Sequence, residues 1–406
     1  MKILVMKFGG TSVADVKRIE NVASIIEENY KNYKLVVVLS AMAGTTNLLQ
    51  KLINEIDYPS SVENDLIITS GEQVTVGLLS MLLNKMGIKS KPMLGWQVPI
   101  ITDSTAQESK ILNINDKYIK AVLEKYDVIV LTGFQGVDTN CNITSIGRGG
   151  TDTTAAAVAV ALKAERCDIY TDVDGVFTTD PNLIHNAKKI KKISYEEMLE
   201  MSSSGAKVLH PRSVELAMKN NLTIQVLSSM TKKNGTFIID EKKLIEKEIV
   251  SGISYSKNES KITISGIPDK PGISAKIFGL MAKNNINVDM IVQNISQDGI
   301  NANMTFTVPV KDINFSKKLL QDEHEELKYT NLTSDANIAK ISVVGVGMMS
   351  QSGVAEKMFK SLADNEINIL AISTSEIKIS VLIDKKYTEE AVKSLHSAYK
   401  LDNIKN

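Results

Sequence analysis

Ile3-Leu4-Val5-Met6-Lys7-Phe8-Gly9-Gly10-Thr11-Ser12 opens the chain with an apolar run that breaks on paired glycines, and a helix-like stretch from Asp15 to Asn29 follows it. In a strand, glycine loop and helix, main-chain amides at the helix N-terminus face an anion, and Lys7 adds a full positive charge. The stretch reads as the first unit of an α/β domain and as a seat for nucleotide phosphate, although alone it also fits a plain structural turn. No GxxxxGK followed by Ser or Thr occurs, so this is not a P-loop. No GxGxxG follows a strand either, since Gly345-Val346-Gly347 lacks the third glycine.

Working outward, apolar runs at Leu35 to Leu39, Val128 to Leu131, Ile169 to Tyr170 and Ile224 to Leu227 alternate with helical patterns at Asp15 to Asn29, Thr154 to Ala164 and Tyr195 to Met201. This predicts an α/β domain over residues 1–240, with a largely parallel sheet covered on both faces and ligands at the carboxyl ends of its strands. The turn Lys232-Lys233-Asn234-Gly235 and a charged, helix-prone connector from Asp240 to Glu248 mark its end. Beyond it the pattern repeats: Gly272, Phe278 and Asn287 recur as Gly353, Phe359 and Asn368, each 81 residues later. Each copy has a strand (Lys261 to Gly266; Lys340 to Gly345), a glycine loop, an amphipathic helix ending near Asn285 or Asn365, and an Ile-Asn-hydrophobic strand. Two ferredoxin-like βαββαβ units are expected, over 250–335 and 336–406.

The chain has 406 residues with 47 basic and 47 acidic side chains, so no global charge draws it to nucleic acid or a membrane surface. Its N-terminal apolar run is too short for a signal peptide, and no stretch of about 20 apolar residues suggests a bilayer span. A cytoplasmic setting is expected, with small molecules or copies of itself as partners. Two cysteines, Cys141 and Cys167, and four scattered histidines form neither a disulfide framework nor a zinc pattern, and no protein metal site is expected.

Several further segments carry chemistry. Ser40-Ala41-Met42-Ala43-Gly44-Thr45-Thr46-Asn47 follows a strand with small residues and hydroxyls suited to phosphate or substrate oxygens, and it also fits a helix cap. Thr69-Ser70-Gly71-Glu72 puts a carboxylate at the start of an apolar helix, where the helix dipole alone favours it. Gly147-Arg148-Gly149-Gly150-Thr151-Asp152-Thr153-Thr154 describes an anion-receiving loop opening a buried helix; arginine's planar fork suits a carboxylate, while Asp152 either caps the helix or positions a lysine or metal. Tyr170 to Pro181 ends a strand in a loop with Asp172, Asp174, Asp180 and Phe177, which could hold an adenine or simply turn the chain. Lys207 is either a second phosphate cation or a solvated lysine.

In this order, KFGGTSVAD, VVVLSAMAGTTN, TSGEQ, GRGGTDTTA, YTDVDGVFTTDP and GAKVLHPRSVELA resemble the aspartokinases of the amino-acid kinase family, as do GIPDKPG with NINVDMIVQN and STSEIKISVLI in the repeats. The resemblance covers nearly the whole chain. It implies a three-layer α/β/α kinase domain followed by two ACT domains. It also implies ATP-dependent phosphorylation of the L-aspartate side chain, with Mg²⁺ on the nucleotide, as the first step of lysine, threonine and methionine biosynthesis.

Carried onto this sequence, the resemblance places ATP at Lys7, Phe8, Gly9, Gly10, Ser40, Tyr170, Thr171, Asp172, Phe177, Asp180, Pro181 and Lys207. Aspartate falls to Thr46, Glu72, Arg148, Gly149, Gly150 and Thr151. Lys7 and Asp152 form the phosphoryl-transfer centre. Phe177 stands where tyrosine is frequent in relatives, and Asn182 where arginine often follows Asp-Pro. An end-product amino acid, lysine before threonine because Asp289 and Glu376 are acidic, is implied at Asp269, Gly272, Ser274, Asn287, Val288, Asp289 and Gln293, with Ser373, Thr374 and Glu376 on the second copy. Paired ACT units imply a homodimer or larger homo-oligomer. A glutamate or acetylglutamate kinase would not pair TSGEQ and GRGGTD with two ACT units. An inactive amino-acid sensor would not keep Lys7, Arg148, Asp152 and Asp172. With Asn406 directly after the second repeat, no fused dehydrogenase is expected.

Overall fold

The computed structural model describes residues 2–56, 58, 62–206, 208–231, 233–244, 248–296 and 299–403. The opening segment becomes the strand Ile3–Phe8, at the centre of an eight-stranded sheet. The strand order is Lys192–Ser194, Thr236–Ile239, Ile224–Ser228, Arg166–Thr171, Ile3–Phe8, Lys34–Leu39, Val128–Thr132, Ser90–Met93. Every neighbouring pair is parallel except Ile224–Ser228 with Thr236–Ile239.

Successive side chains point to opposite faces of a strand, and here both faces are covered. Ile3, Val5, Val36 and Val38 pack with the alanine-rich helix Gly150–Leu162. Leu4, Met6, Phe8 and Val37 pack with Val16–Asn29 and Gly71–Lys85. Burying each of the larger residues contributes on the order of 1.5–3 kcal/mol. This is the three-layer α/β/α arrangement expected. Lys7 falls on the same face as Val5, which aims it at the start of Gly150–Leu162. The helix Val16–Asn29 begins where Asp15 accepts the Arg18 N–H at 2.8 Å.

One helical run, Val62–Lys85, is long and apolar enough to cross a membrane by length and composition. It carries the buried carboxylates Asp65 and Glu72 and buries Val76, Leu79 and Leu83 in the core of the N-terminal domain, so it serves as a core element. A small second sheet of Ile100–Thr102, Ile111–Ile114, Gln135–Val137 and Ile143–Ser145 flanks the cleft; the sequence reading did not foresee it. In the connector, the described part of the expected helix is only the short 3-10 turn Glu241–Lys243.

The C-terminal third forms two antiparallel four-stranded sheets. The first runs Ile291–Ile295, Asn301–Pro309, Glu259–Pro268, Asn331–Asp335, and the second Gly252–Ser256, Ile338–Val344, Lys378–Asp384, Ala371–Thr374. Both helices open on a left-handed glycine, Gly272 at φ +96° and Gly353 at φ +88°. The division at 250 is corrected in one respect. Gly252–Ser256 precedes the first repeat yet pairs with Ile338–Val344, Gly252 opposite Val344 and Ser256 opposite Lys340, as the edge strand of the second sheet. The first repeat is therefore an insertion within the second.

The second unit is joined to the N-terminal domain by polar contacts, those of Glu197 buried. Glu197 accepts the Ser251 hydroxyl at 2.6 Å and the Val346 N–H at 3.0 Å, and Lys378 pairs with Glu200 at 2.7 Å.

Candidate active site

At the carboxyl end of the central strands, a cavity of about 1270 Å³ is lined by Lys7, Gly10, Ser40, Thr46, Glu72, Arg148, Gly149, Gly150, Thr151 and Asp152, among others. Ten residues singled out from separate motifs thus converge on one space. Lys7 Nζ lies 2.6 Å from Asp152 Oδ1 at its floor, with both side chains mostly buried. Asp152 sits in the first turn of Gly150–Leu162 while Gly149 is the N-cap, so it orients the lysine instead of capping the helix.

The close approach of the loops explains the glycines. A Cβ on Gly10 would stand 2.9 Å from the Ala41 carbonyl oxygen. Gly149 has φ +67°, and a Cβ there would enter the His210 ring at 2.2 Å. Ser40 Oγ donates to Thr151 Oγ1 at 3.0 Å, tying the Ser40–Asn47 loop to the helix that carries Asp152.

Glu72 is 3% exposed. Its Oε1 accepts the Ala41 N–H at 3.2 Å, whereas its Oε2 is buried without a protein partner. Burial pushes its carboxyl up to about 7, against the lowering pull of the main-chain N–H groups of Glu72 and Ala41. A buried oxygen without a donor, in a cavity that also holds Arg148, suits a ligand bearing an ammonium and a carboxylate.

Three supports were missed from the sequence. Asp65, buried, accepts Ser145 Oγ at 2.7 Å, Ser145 N at 3.1 Å and Gln107 N at 3.3 Å. Arg212 donates to the Ile146 carbonyl at 2.5 Å and the Ser109 carbonyl at 3.0 Å. His210 packs its ring against Gly149. Together they hold the chain entering Gly147–Gly150. The only sequence signals were an aspartate inside an apolar helix and the His-Pro-Arg of a motif valued for its lysine.

The nucleotide candidates are placed less uniformly. Phe8 and Tyr170, expected at the ATP site, stack in the core with ring centroids 4.5 Å apart, so their rings do not line the cavity. Gly9 donates to the Tyr170 carbonyl at 3.4 Å, joining the two loops. Thr171 ends the neighbouring strand Arg166–Thr171, Asp172, Phe177, Asp180 and Pro181 follow it, and none of the five lines the cavity. Asp174 is held by Thr231 and Lys233, which keep its carboxyl below the usual range. Lys207 lies outside the described residues. Burial pushes the Cys167 thiol well up, and Cys141 is exposed.

In the first repeat, Ser274 Oγ donates to Gln293 Oε1 at 3.2 Å, Asp269 N donates to the Ile300 carbonyl at 2.9 Å, and Gly272 opens the adjoining helix. Val288 packs against that repeat's core. Asp289, expected to receive an effector ammonium, already pairs with the buried Lys340 of the second repeat, which also lies 3.8 Å from Glu259. Asn287, expected at an effector seam, lines the catalytic cavity with Asn285, Ile286 and Lys311. Ser373 and Thr374 lie on the strand Ala371–Thr374, which approaches Ile291–Ile295, and Glu376 is exposed beyond it.

The chain matches the amino acid kinase family over residues 2–228 and the ACT domain over 253–323 and 341–399. It is 49% identical to an aspartate kinase of Pseudomonas fluorescens, covering 99% of this chain and 98% of that one. It is 46% identical to an aspartokinase of Helicobacter pylori, covering 98% and 100%. Among solved structures, Escherichia coli aspartokinase III in complex with aspartate and ADP (R-state) superposes with a TM-score of 0.83 at 25% identity, covering 98% and 99%. The same enzyme in complex with lysine and aspartate (T-state) gives 0.75 at 26% identity with the same coverage.

Proposed function

The chain belongs to the aspartate kinases of the amino acid kinase family, and from that premise we infer how its cleft works. ATP gives its γ-phosphoryl group to the side-chain carboxylate of L-aspartate, leaving ADP and 4-phospho-L-aspartate, the opening step of lysine, threonine and methionine biosynthesis. The ACT units make the enzyme allosteric.

At pH 7 the aspartate side chain, with a reference pKa near 3.9, is already a nucleophilic anion, so the reaction needs no general base. What it needs is charge compensation. Two unit negative charges about 4 Å apart repel by about 4 kcal/mol at an effective dielectric of 20. Lys7, held by Asp152, meets the transferring phosphoryl group, and the amides of the Gly9-Gly10 loop face the nucleotide phosphates. Arg148 clamps the α-carboxylate and Glu72 takes the α-ammonium, with Thr46, Gly149, Gly150 and Thr151 completing the pocket. Thr171, Asp172, Phe177 and Asp180 seat the nucleoside. Magnesium, when bound to the phosphates, supplies further neutralisation there. Asp152 would be the carboxylate beside that ion.

The observation that carries this reading is the unfilled Oε2 of buried Glu72 in the cavity that holds Arg148 and Lys7. Lysine is the effector we favour, given the lysine complex of the E. coli relative. Because Lys340 already neutralises Asp289, that carboxylate must exchange partners to take an ammonium. A cytoplasmic homo-oligomer completes the reading. With MgATP, L-aspartate and hydroxylamine, aspartyl hydroxamate should form. No hydroxamate from aspartate, or equal yield from glutamate, would overturn the assignment.

A further inference from the structure

The loop that follows the strand Arg166–Thr171 is built partly from the C-terminal regulatory unit. Its far arm places Ile184, 6% exposed, in the hydrophobic core of the second repeat, beside Ile253, Ile341, Val343 and Leu395, with Leu183 and Ala187 packed against it. Three hydrogen bonds pin its near arm to the same unit. The Ile253 N–H donates to the Thr178 carbonyl at 2.7 Å, Thr178 Oγ1 meets His396 Nε2 at 2.9 Å, and the Tyr255 hydroxyl donates to Asp180 at 3.1 Å. Thr178 and His396 are both buried, at 0% and 1% exposure. Thr178 Oγ1 also accepts the Lys188 N–H at 3.0 Å, so the hydroxyl joins the loop's two arms as well as the regulatory unit. Phe177 and Thr179 flank this anchored residue, so a shift of Thr178 moves both.

We propose that His396 and Tyr255 are positioning residues for the nucleotide: through Thr178 and Asp180 they fix the loop against which ATP lies, so the second regulatory unit sets nucleotide affinity directly. This rests on the reading that residues 171–181 seat the nucleoside. It differs from the role of Lys7 and Arg148 because neither side chain is asked to touch a substrate. A net neutral hydrogen bond is worth about 0.5–1.5 kcal/mol, or roughly two- to tenfold in affinity, and that sets the expected size.

The test uses the full chain and separate KM values for ATP and aspartate. His396→Leu should raise the ATP KM roughly five- to tenfold, leaving the aspartate KM and kcat within about twofold. His396→Gln, which keeps a polar nitrogen near the Nε2 position, should recover most of the loss. Tyr255→Phe should raise the ATP KM about two- to threefold. Thr178→Val, which also loses the bond from the Lys188 N–H, should raise the ATP KM at least as much as His396→Leu, and the double variant should be no worse than Thr178→Val, since the bond to His396 is already gone there. Should His396→Leu fail to fold, Tyr255→Phe and Thr178→Val carry the test unaided. An unchanged ATP KM in folded variants, or equal shifts in both KM values, overturns the proposal. Wild-type protein that yields no hydroxamate overturns the kinase reading itself, which is a separate result.

Discussion

The two walls of the proposed site, one for aspartate and one for the nucleotide, are braced in opposite ways. The aspartate wall is held from within the kinase domain: Asp65 grips the chain at Ser145 and Arg212 at Ile146, His210 backs Gly149, and Ser40 ties across to Thr151. The nucleotide wall is held from outside it, by Ile253, Tyr255 and His396 of the second regulatory unit. One wall is therefore fixed by the fold that makes it, while the other inherits its position from a unit that can respond to an effector. A ligand can move an equilibrium only through differential affinity for two states, and the nucleotide wall is where such a difference has the shortest route to chemistry. The first repeat reaches the cavity differently, placing Asn285, Ile286, Asn287 and Lys311 at its lining.

The sharpest way to break this contrast is at the seam between the walls. Lys7→Ala should lower turnover by about 10²–10³-fold while aspartate still binds, as read by ADP release and by calorimetric titration of aspartate. Near-normal turnover would remove Lys7 from the reacting phosphate. Arg148→Ala should raise the aspartate KM by about 10- to 100-fold, through loss of a charge-assisted contact, and spare the ATP KM. If both KM values rose together, the walls would not be independent.

The pH dependence probes the aspartate wall alone. Glu72 must be ionised to take an ammonium, and its carboxyl stands at about 7 in the free protein. Above that pH it is charged and ready. Below it the group is protonated, so aspartate binding must expel a proton and the aspartate KM should climb up to about tenfold per pH unit, with the ATP KM flat across that range. A Glu72→Gln variant should be weak throughout and lose the slope. The smallest effect expected is for Arg212→Lys, which keeps the charge but loses the planar fork reaching two carbonyls. A rise of about two- to fivefold in the aspartate KM would fit a loosened Gly147–Gly150 loop, and a matching rise for ATP would not.

Much of this was legible because close backbone approach writes itself as glycine. Gly10 and Gly149 could not carry a Cβ where they lie, and each marked its loop. The 81-residue spacing exposed the repeats, down to Gly272 and Gly353 opening their helices. What stayed hidden was partnership at long range. An alternating strand announces that it pairs but not with whom, so the division at 250 left Gly252–Ser256 with the repeat it does not pair with. Arg212 contacts carbonyls 66 and 103 positions away. Phe8 and Tyr170 sat inside binding motifs yet pointed to the core face, where the alternation of Leu4 and Met6 already led. The repeats also diverge at matched positions: Ser274 and Asp289 of the first become Ala355 and Leu370 in the second. The second copy gives up those two polar groups, keeps Ser350, Asn368 and Thr374 at the positions matching Asp269, Asn287 and Gln293, and packs on the kinase domain.

The edge strand Gly252–Ser256 has a consequence for how the protein is made. It emerges from the ribosome before its partner Ile338–Val344, and must remain unpaired until the whole intervening repeat has been synthesised. Translation thus has to finish the first repeat before it can close the unit that packs on the loop after Arg166–Thr171. A chain cut short anywhere in between would carry a bare strand, a natural mark for quality control.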